Sequence, residues 1–260
     1  MSHKLRKFIV EQPQIPSGFR YKTPILVSDS KGFTIRNSCR DKEFPTELWC
    51  IPGAKTADLV DLIENRLEKA IKRHYHIILY FWSGTCDFTI KQGKFIKLRH
   101  NQEHKTVNSI LTEYKRAITI VEKYPNTEIK FVDCPILSIV NYNKHKGHTN
   151  PATFKVEDFL VTRQIQNLNT KISELNQGLR KNTVKTSKYF FRARKVKRGG
   201  YRKSVNISLN KTDGVHSGPL LSLVITKQLL LDTYRECFHI ATEAEEIQLR
   251  VSKEELLSLF

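Results

Sequence analysis

Four short segments carry residues whose types and spacing suit acyl transfer. In Val27-Ser28-Asp29-Ser30-Lys31-Gly32 a serine falls in a tight turn between an apolar run and a helix start. Such a turn exposes the hydroxyl, and the helix amino terminus favours negative charge developing there. In Ile51-Pro52-Gly53-Ala54-Lys55-Thr56, Gly53 lets a backbone amide face a ligand closely. Trp82-Ser83-Gly84-Thr85-Cys86-Asp87 again follows an apolar run. In Lys211-Thr212-Asp213-Gly214-Val215-His216 a histidine stands three residues beyond an aspartate, near enough for the carboxylate to orient the imidazole. A turn serine or an Asp-x-x-His taken singly is common in loops and caps. Lys31 and Lys55 read in two ways: as positive charge at a pocket mouth, suited to an anionic substrate, or as exposed lysines at helix starts. Cys86 is expected to be a buried, inert thiol rather than a second nucleophile.

The elements that must position these residues alternate between strand and helix. Ile25 to Ser28, Leu48 to Ile51, His76 to Trp82 and Glu128 to Cys134 read as strands, each closed by a turn signal. Val60, Ile63, Leu67 and Ile71 fall at helical spacing after Thr56, a candidate N-cap. Val107 to Val121 forms a second apolar stripe, and Ser217 to Leu231 a later helix. Val161, Ile165, Leu168, Ile172, Leu175 and Leu179 mark a long amphipathic helix, whose narrow stripe suits its own domain or a partner helix. The alternation predicts a parallel sheet with helices on both faces, where ligands bind beyond the carboxyl ends of the strands. The four segments lie just there.

Composition sets outer bounds. The 260 residues hold 44 Lys plus Arg against 26 Asp plus Glu, a net charge of +18, with 39% hydrophobic residues. That describes a globular chain of one large or two small domains. No apolar stretch is long enough to span a bilayer, and no signal-peptide pattern follows the basic start, so a secreted or membrane-spanning protein is not expected. Five widely spaced cysteines with no CxxC pair argue against a disulfide framework or zinc ribbon and predict an intracellular setting, cytoplasmic or nuclear. The pairs His100/His104 and His145/His148 have ligand-like spacing but no supporting cluster, so no metal and no cofactor is expected. A flavin or nucleotide binder of the same architecture would need a glycine-rich phosphate loop, and none follows the first strand. Leu175 to Thr212 contains no acidic residue and carries +12. Within it Arg192, Arg194, Lys195, Lys197, Arg198, Arg202 and Lys203 surround aromatic residues, a mixture that suits nucleic acid or another polyanion. It equally suits an anionic protein partner or a solvated loop. The expected organisation is a basic extension over 1–20, one domain over 21–235 with a basic insertion at about 180–211, and an acidic tail over 236–260.

In combination and in order, the four segments resemble the blocks of the SGNH, or GDSL-type, serine hydrolases. Ser28-Asp29-Ser30 is similar to that family's Gly-Asp-Ser block, Gly53 to its glycine block, Gly84-Thr85-Cys86-Asp87 to its Gly-x-Asn-Asp block, and Asp213-Gly214-Val215-His216 to its Asp-x-x-His block. The resemblance runs from residue 25 to about 233. It implies a three-layer α/β/α, flavodoxin-like fold with a parallel sheet of about five strands. It further implies Ser30 as nucleophile, His216 as general base and Asp213 as its orienting carboxylate. The Ser30 and Gly53 amides and the residue at position 86 would form the oxyanion hole, with Asp29, Gly84 and Asp87 in support. Cys86 departs from the pattern, because a thiol is a weak donor beside a carboxamide, and losing one such donor costs about 10²–10³ in turnover. The implied activity is hydrolysis of an acyl ester on a small molecule or modified polymer. The alternative is a scaffold with little or no turnover that binds a polyanion, as in a mobile-element or viral protein.

Overall fold

The structure, a computed structural model, describes residues 2–16, 18–39, 44–195 and 201–239. Its first half comprises α1 (Ser2–Val10), β1 (Phe19–Arg20), β2 (Thr23–Ser28), α2 (Lys31–Ser38), β3 (Glu47–Cys50), α3 (Thr56–His74), β4 (Ile77–Trp82), β5 (Thr89–Gln92) and β6 (Phe95–Leu98). The second half adds α4 (Lys105–Val121), β7 (Thr127–Phe131), α5 (Ile139–His145), α6 (Lys155–Gly178), β8 (Phe191–Lys195), β9 (Tyr201–Val205), α7 (Pro219–Cys237) and β10 (Phe238–His239).

Strands with no polar face to show to water are covered on both sides, and all six residues of β4 are buried. The central sheet is parallel, in the order β3-β2-β4-β7. Ser28 lies level with Cys50 on one side and Trp82 on the other, so β2, β3 and β4 end together at one edge. Helices α3, α4 and α6 pack in one group and α1, α2 and α7 in another, flanking the sheet. Lys130 of β7 is fully buried and donates to Asp232 at 2.6 Å and Glu236 at 2.8 Å, which ties the sheet to α7.

The described sheet has four strands rather than about five. Where a fifth would lie, Val184 makes a single parallel bridge with Val132. The outer edge of β7 is satisfied instead by a side chain of α6. The Asn176 amide accepts from Phe131 N at 2.9 Å and donates to Phe131 O at 2.7 Å. Asn169, two turns earlier, does the same for Cys134 at 2.7 and 2.8 Å. Two primary amides thus complete backbone pairing that a strand would otherwise supply. The apolar stripe of α6 is spent inside its own domain, with Val161, Ile165, Leu168 and Ile172 buried, so the partner-helix reading falls away.

The amino-terminal segment is docked on the fold. Leu5 is buried, Lys227 of α7 donates to Phe8 O and Glu11 O, and β1 pairs antiparallel with β10. Most of the acidic tail, from residue 240, lies outside the described residues.

Candidate active site

The nucleophile turn is built from the end of β2. Ser28 Oγ donates to Trp82 O at 3.0 Å, which locks the end of β2 to β4. Ser30 then stands at the N-cap of α2, yet its side chain makes no capping bond. Its hydroxyl is 3.0 Å from His216 Nε2 instead. Gly32 is required because any Cβ there would run into Cys50 Sγ.

Lys31 departs from both readings given to it. It is neither at a pocket mouth nor exposed: its side chain is 2% accessible. The ammonium pairs with Asp29, donates to Thr85 Oγ1 at 2.8 Å and lies 5.5 Å from the centre of a Trp82 ring. Burial works to lower its pKa, but Asp29, helped by the neighbouring Cys86 and Cys134, outweighs burial and holds the ammonium above its ordinary value. Asp29 also accepts from Lys31 N at 2.9 Å, so the residues on either side of Ser30 are clamped to each other beneath it.

The histidine arrives on a closed loop. Lys211 N donates to His216 O at 2.8 Å, and Ser138 N donates to Gly214 O at 3.0 Å. Gly214 holds φ +67°, where a Cβ would meet Asn141 Cβ at 2.5 Å. Asp213 Oδ1 accepts from Val215 N and His216 N, each at 2.9 Å, and Oδ2 lies 2.8 Å from His216 Nδ1. Burial tends to raise the Asp213 carboxyl, but the two amides and the imidazole more than offset this and hold it below the usual range. Ser30, His216 and Asp213 therefore form one connected hydrogen-bonded chain.

The third segment supplies the floor. Gly84 takes φ +104°, a conformation open to glycine, and starts a single turn of 3₁₀ helix over Thr85–Asp87. Asp87 closes the amino end of α3: Thr56 donates to it through its amide, at 3.1 Å, and through its hydroxyl, at 2.8 Å. Thr56 is thus the first helical residue and Lys55 the N-cap. Burial pushes the Asp87 carboxyl up from its ordinary value. The Cys86 thiol is driven up to about 12, by burial and then by Asp29, and donates toward Asp29 Oδ2 at 3.7 Å. A protonated thiol aimed at a carboxylate is poorly placed to serve an oxyanion as well.

Ser30, Gly53, Cys86 and His216 open together onto a cleft of about 610 Å³. Sequence reading did not single out much of its wall. Ile90, Lys91 and Ile96 come from the β5–β6 hairpin, Arg99 follows it directly, and Tyr142 comes from α5. The one available signal was the Gln92-Gly93-Lys94 turn between two short runs, with Gly93 at φ +61°. Among the ligand-like histidines, His145 bonds Thr212 at 3.2 Å and His148 accepts from Asn150 N at 3.1 Å. In the basic segment, Arg192, Arg194 and Lys195 lie along β8, Arg202 and Lys203 along β9, and Lys197 and Arg198 outside the described residues.

No family model and no curated protein sequence matches the chain. Solved structures do. A candidate acylhydrolase from Bacteroides fragilis superposes with a TM-score of 0.54 at 16% identity, covering 90% of this chain and 97% of its own. A GDSL-like lipase from Bacteroides thetaiotaomicron gives 0.51 at 13% identity, covering 88% and 94%. With a parallel sheet flanked by helices and its four segments gathered at one edge, the chain has the fold of the SGNH, or GDSL-type, hydrolases.

Proposed function

We propose that the protein is a serine ester hydrolase working through an acyl-enzyme. The observation that carries this reading is the chain from Ser30 Oγ to His216 Nε2, 3.0 Å, and from His216 Nδ1 to Asp213 Oδ2, 2.8 Å, opening on a cleft. In this scheme Ser30 Oγ attacks the acyl carbonyl as its proton passes to His216 Nε2. Asp213 holds the ring in the tautomer with Nδ1 protonated and stabilises the imidazolium that forms. His216 then protonates the departing alcohol, and water, activated by the same nitrogen, releases the acid. The Ser30 and Gly53 amides would carry the oxyanion. Cys86 adds little to them, so turnover is expected to be modest. We place the reaction in an intracellular setting, on the wide spacing of the five cysteines in the sequence.

The test is hydrolysis of p-nitrophenyl acetate by the wild type and by Ser30→Ala. Turnover that falls to background in the variant supports the reading. Equal rates in the two proteins overturn it.

A further inference from the structure

We propose that the cleft selects an ester carrying an anionic group, a carboxylate or a phosphate. The inference rests on the ester-hydrolase reading for its reaction but on different residues for its content. Three cations line the cleft, Lys55, Lys91 and Arg99, and no carboxylate is among its lining residues. Among the described residues, none of the three has an acidic partner within ion-pair distance. This sets them apart from Lys31, Lys130 and Lys181, whose charges are each neutralised inside the fold.

The wall that carries two of these cations is fixed before any ligand arrives. Arg99 donates through Nε to Asp87 O at 2.7 Å and through Nη2 to Thr89 O at 3.2 Å, partners that orient the guanidinium without cancelling its charge. The Asn143 amide accepts from Ile96 N at 2.9 Å and donates to Ile96 O at 2.8 Å, and Glu157 accepts from Leu98 N at 2.5 Å. The nearby Asp87 carboxylate is turned to Thr56 at the start of α3. Arg99 supplies oriented positive charge at the cleft and the exposed Lys55 and Lys91 add to it, a combination that suits an anion. Ile90, Ile96, Leu137, Tyr142 and Val215 provide an apolar remainder for the uncharged part of the substrate.

The experiment compares matched esters. 4-Acetoxybenzoate is set against its neutral methyl ester, which places the anion on the alcohol side. 4-Nitrophenyl hydrogen glutarate is set against 4-nitrophenyl methyl glutarate, which places it on the acyl side. Each rate is divided by that ester's rate in buffer alone. For at least one pair, kcat/KM should favour the anion roughly tenfold at about 0.05 M salt and much less at about 0.5 M. The double variant Lys55→Gln/Lys91→Gln, which leaves Arg99 in place, should cut the preference from roughly tenfold to about threefold or less, and 4-acetoxyphenyl phosphate in the same assay separates phosphate from carboxylate selectivity. Hydrolysis without preference in either pair overturns the proposal and leaves the nucleophile reading standing. If no ester is hydrolysed, the nucleophile reading fails instead. Calorimetric titration of 4-acetoxybenzoate into Ser30→Ala then decides the anion site: binding that weakens both with salt and in the lysine variant supports it, and no binding, or binding indifferent to both, overturns it.

Discussion

Replacing Lys31 by methionine tests the least ordinary feature of the site. The substitution keeps an unbranched side chain of similar length but deletes the ammonium. It leaves the Asp29 carboxylate, 1% accessible, without its cation. Removing one member of a buried ion pair costs about 3–5 kcal/mol, because the survivor stays desolvated and unpaired. Asp29 keeps two weaker donors, Lys31 N at 2.9 Å and the Cys86 thiol at 3.7 Å, which place the expected loss near the lower bound, about 3 kcal/mol. For a domain of this size that corresponds to a fall of about 6–12 °C in Tm. The assay is thermal unfolding of the wild type, Lys31→Met, Asp29→Asn and the double variant at neutral pH. Because the ammonium is held above its ordinary value, its contribution is complete below the unfolded lysine pKa and fades only as pH rises through the folded one. Neutral pH therefore reads it in full. Neutralising Asp29 in the Lys31→Met background should restore much of the loss, giving a coupling energy of about 1–3 kcal/mol. A Lys31→Met protein within about 2 °C of the wild type would mean that the pair contributes nothing net, and the reasoning from burial would be wrong.

Two further substitutions probe the geometry around Ser30 and His216. Gly214→Ala forces a Cβ toward Asn141 at a φ of +67°, so the loop bearing His216 must shift. Ester hydrolysis should fall about 100-fold, since a displacement near 1 Å costs that much; an unchanged kcat would show that the loop geometry is not what sets the rate. Cys86→Asn introduces a carboxamide donor where the thiol now faces Asp29. It should raise kcat on p-nitrophenyl acetate about tenfold or more with little change in KM, and a fall in kcat would show that position 86 does not reach the oxyanion.

How far the sequence could be read depended on whether a residue's neighbours in space were also its neighbours in pattern. The ends of β2, β3 and β4 were legible because each apolar run stops at a glycine or serine turn, and parallel pairing then brings those ends level. Asp213 and His216 were legible because three residues of spacing suffice for their contact. Lys31 was not, since a lysine at a helix start is exposed unless a carboxylate is waiting beneath it, and Asp29 reveals that only once α2 turns. That the described residues give the central sheet four strands and no fifth was hidden for a similar reason. Asn169 and Asn176 look like polar interruptions of a helix stripe, yet they are the groups that finish the backbone pairing of Cys134 and Phe131. The β5–β6 hairpin lacked a clean alternation, as Lys91 and Lys97 fall among its apolar residues, so the cationic wall of the cleft became visible only in the structure.

The claim that Ser30 is the nucleophile is tested most directly by covalent capture. The wild type is treated with phenylmethylsulfonyl fluoride, and the modified peptide is mapped by mass spectrometry. The account predicts one adduct, on Ser30, that is absent from Ser30→Ala and strongly reduced in His216→Ala. An adduct on another residue, with ester hydrolysis surviving in Ser30→Ala, would contradict it.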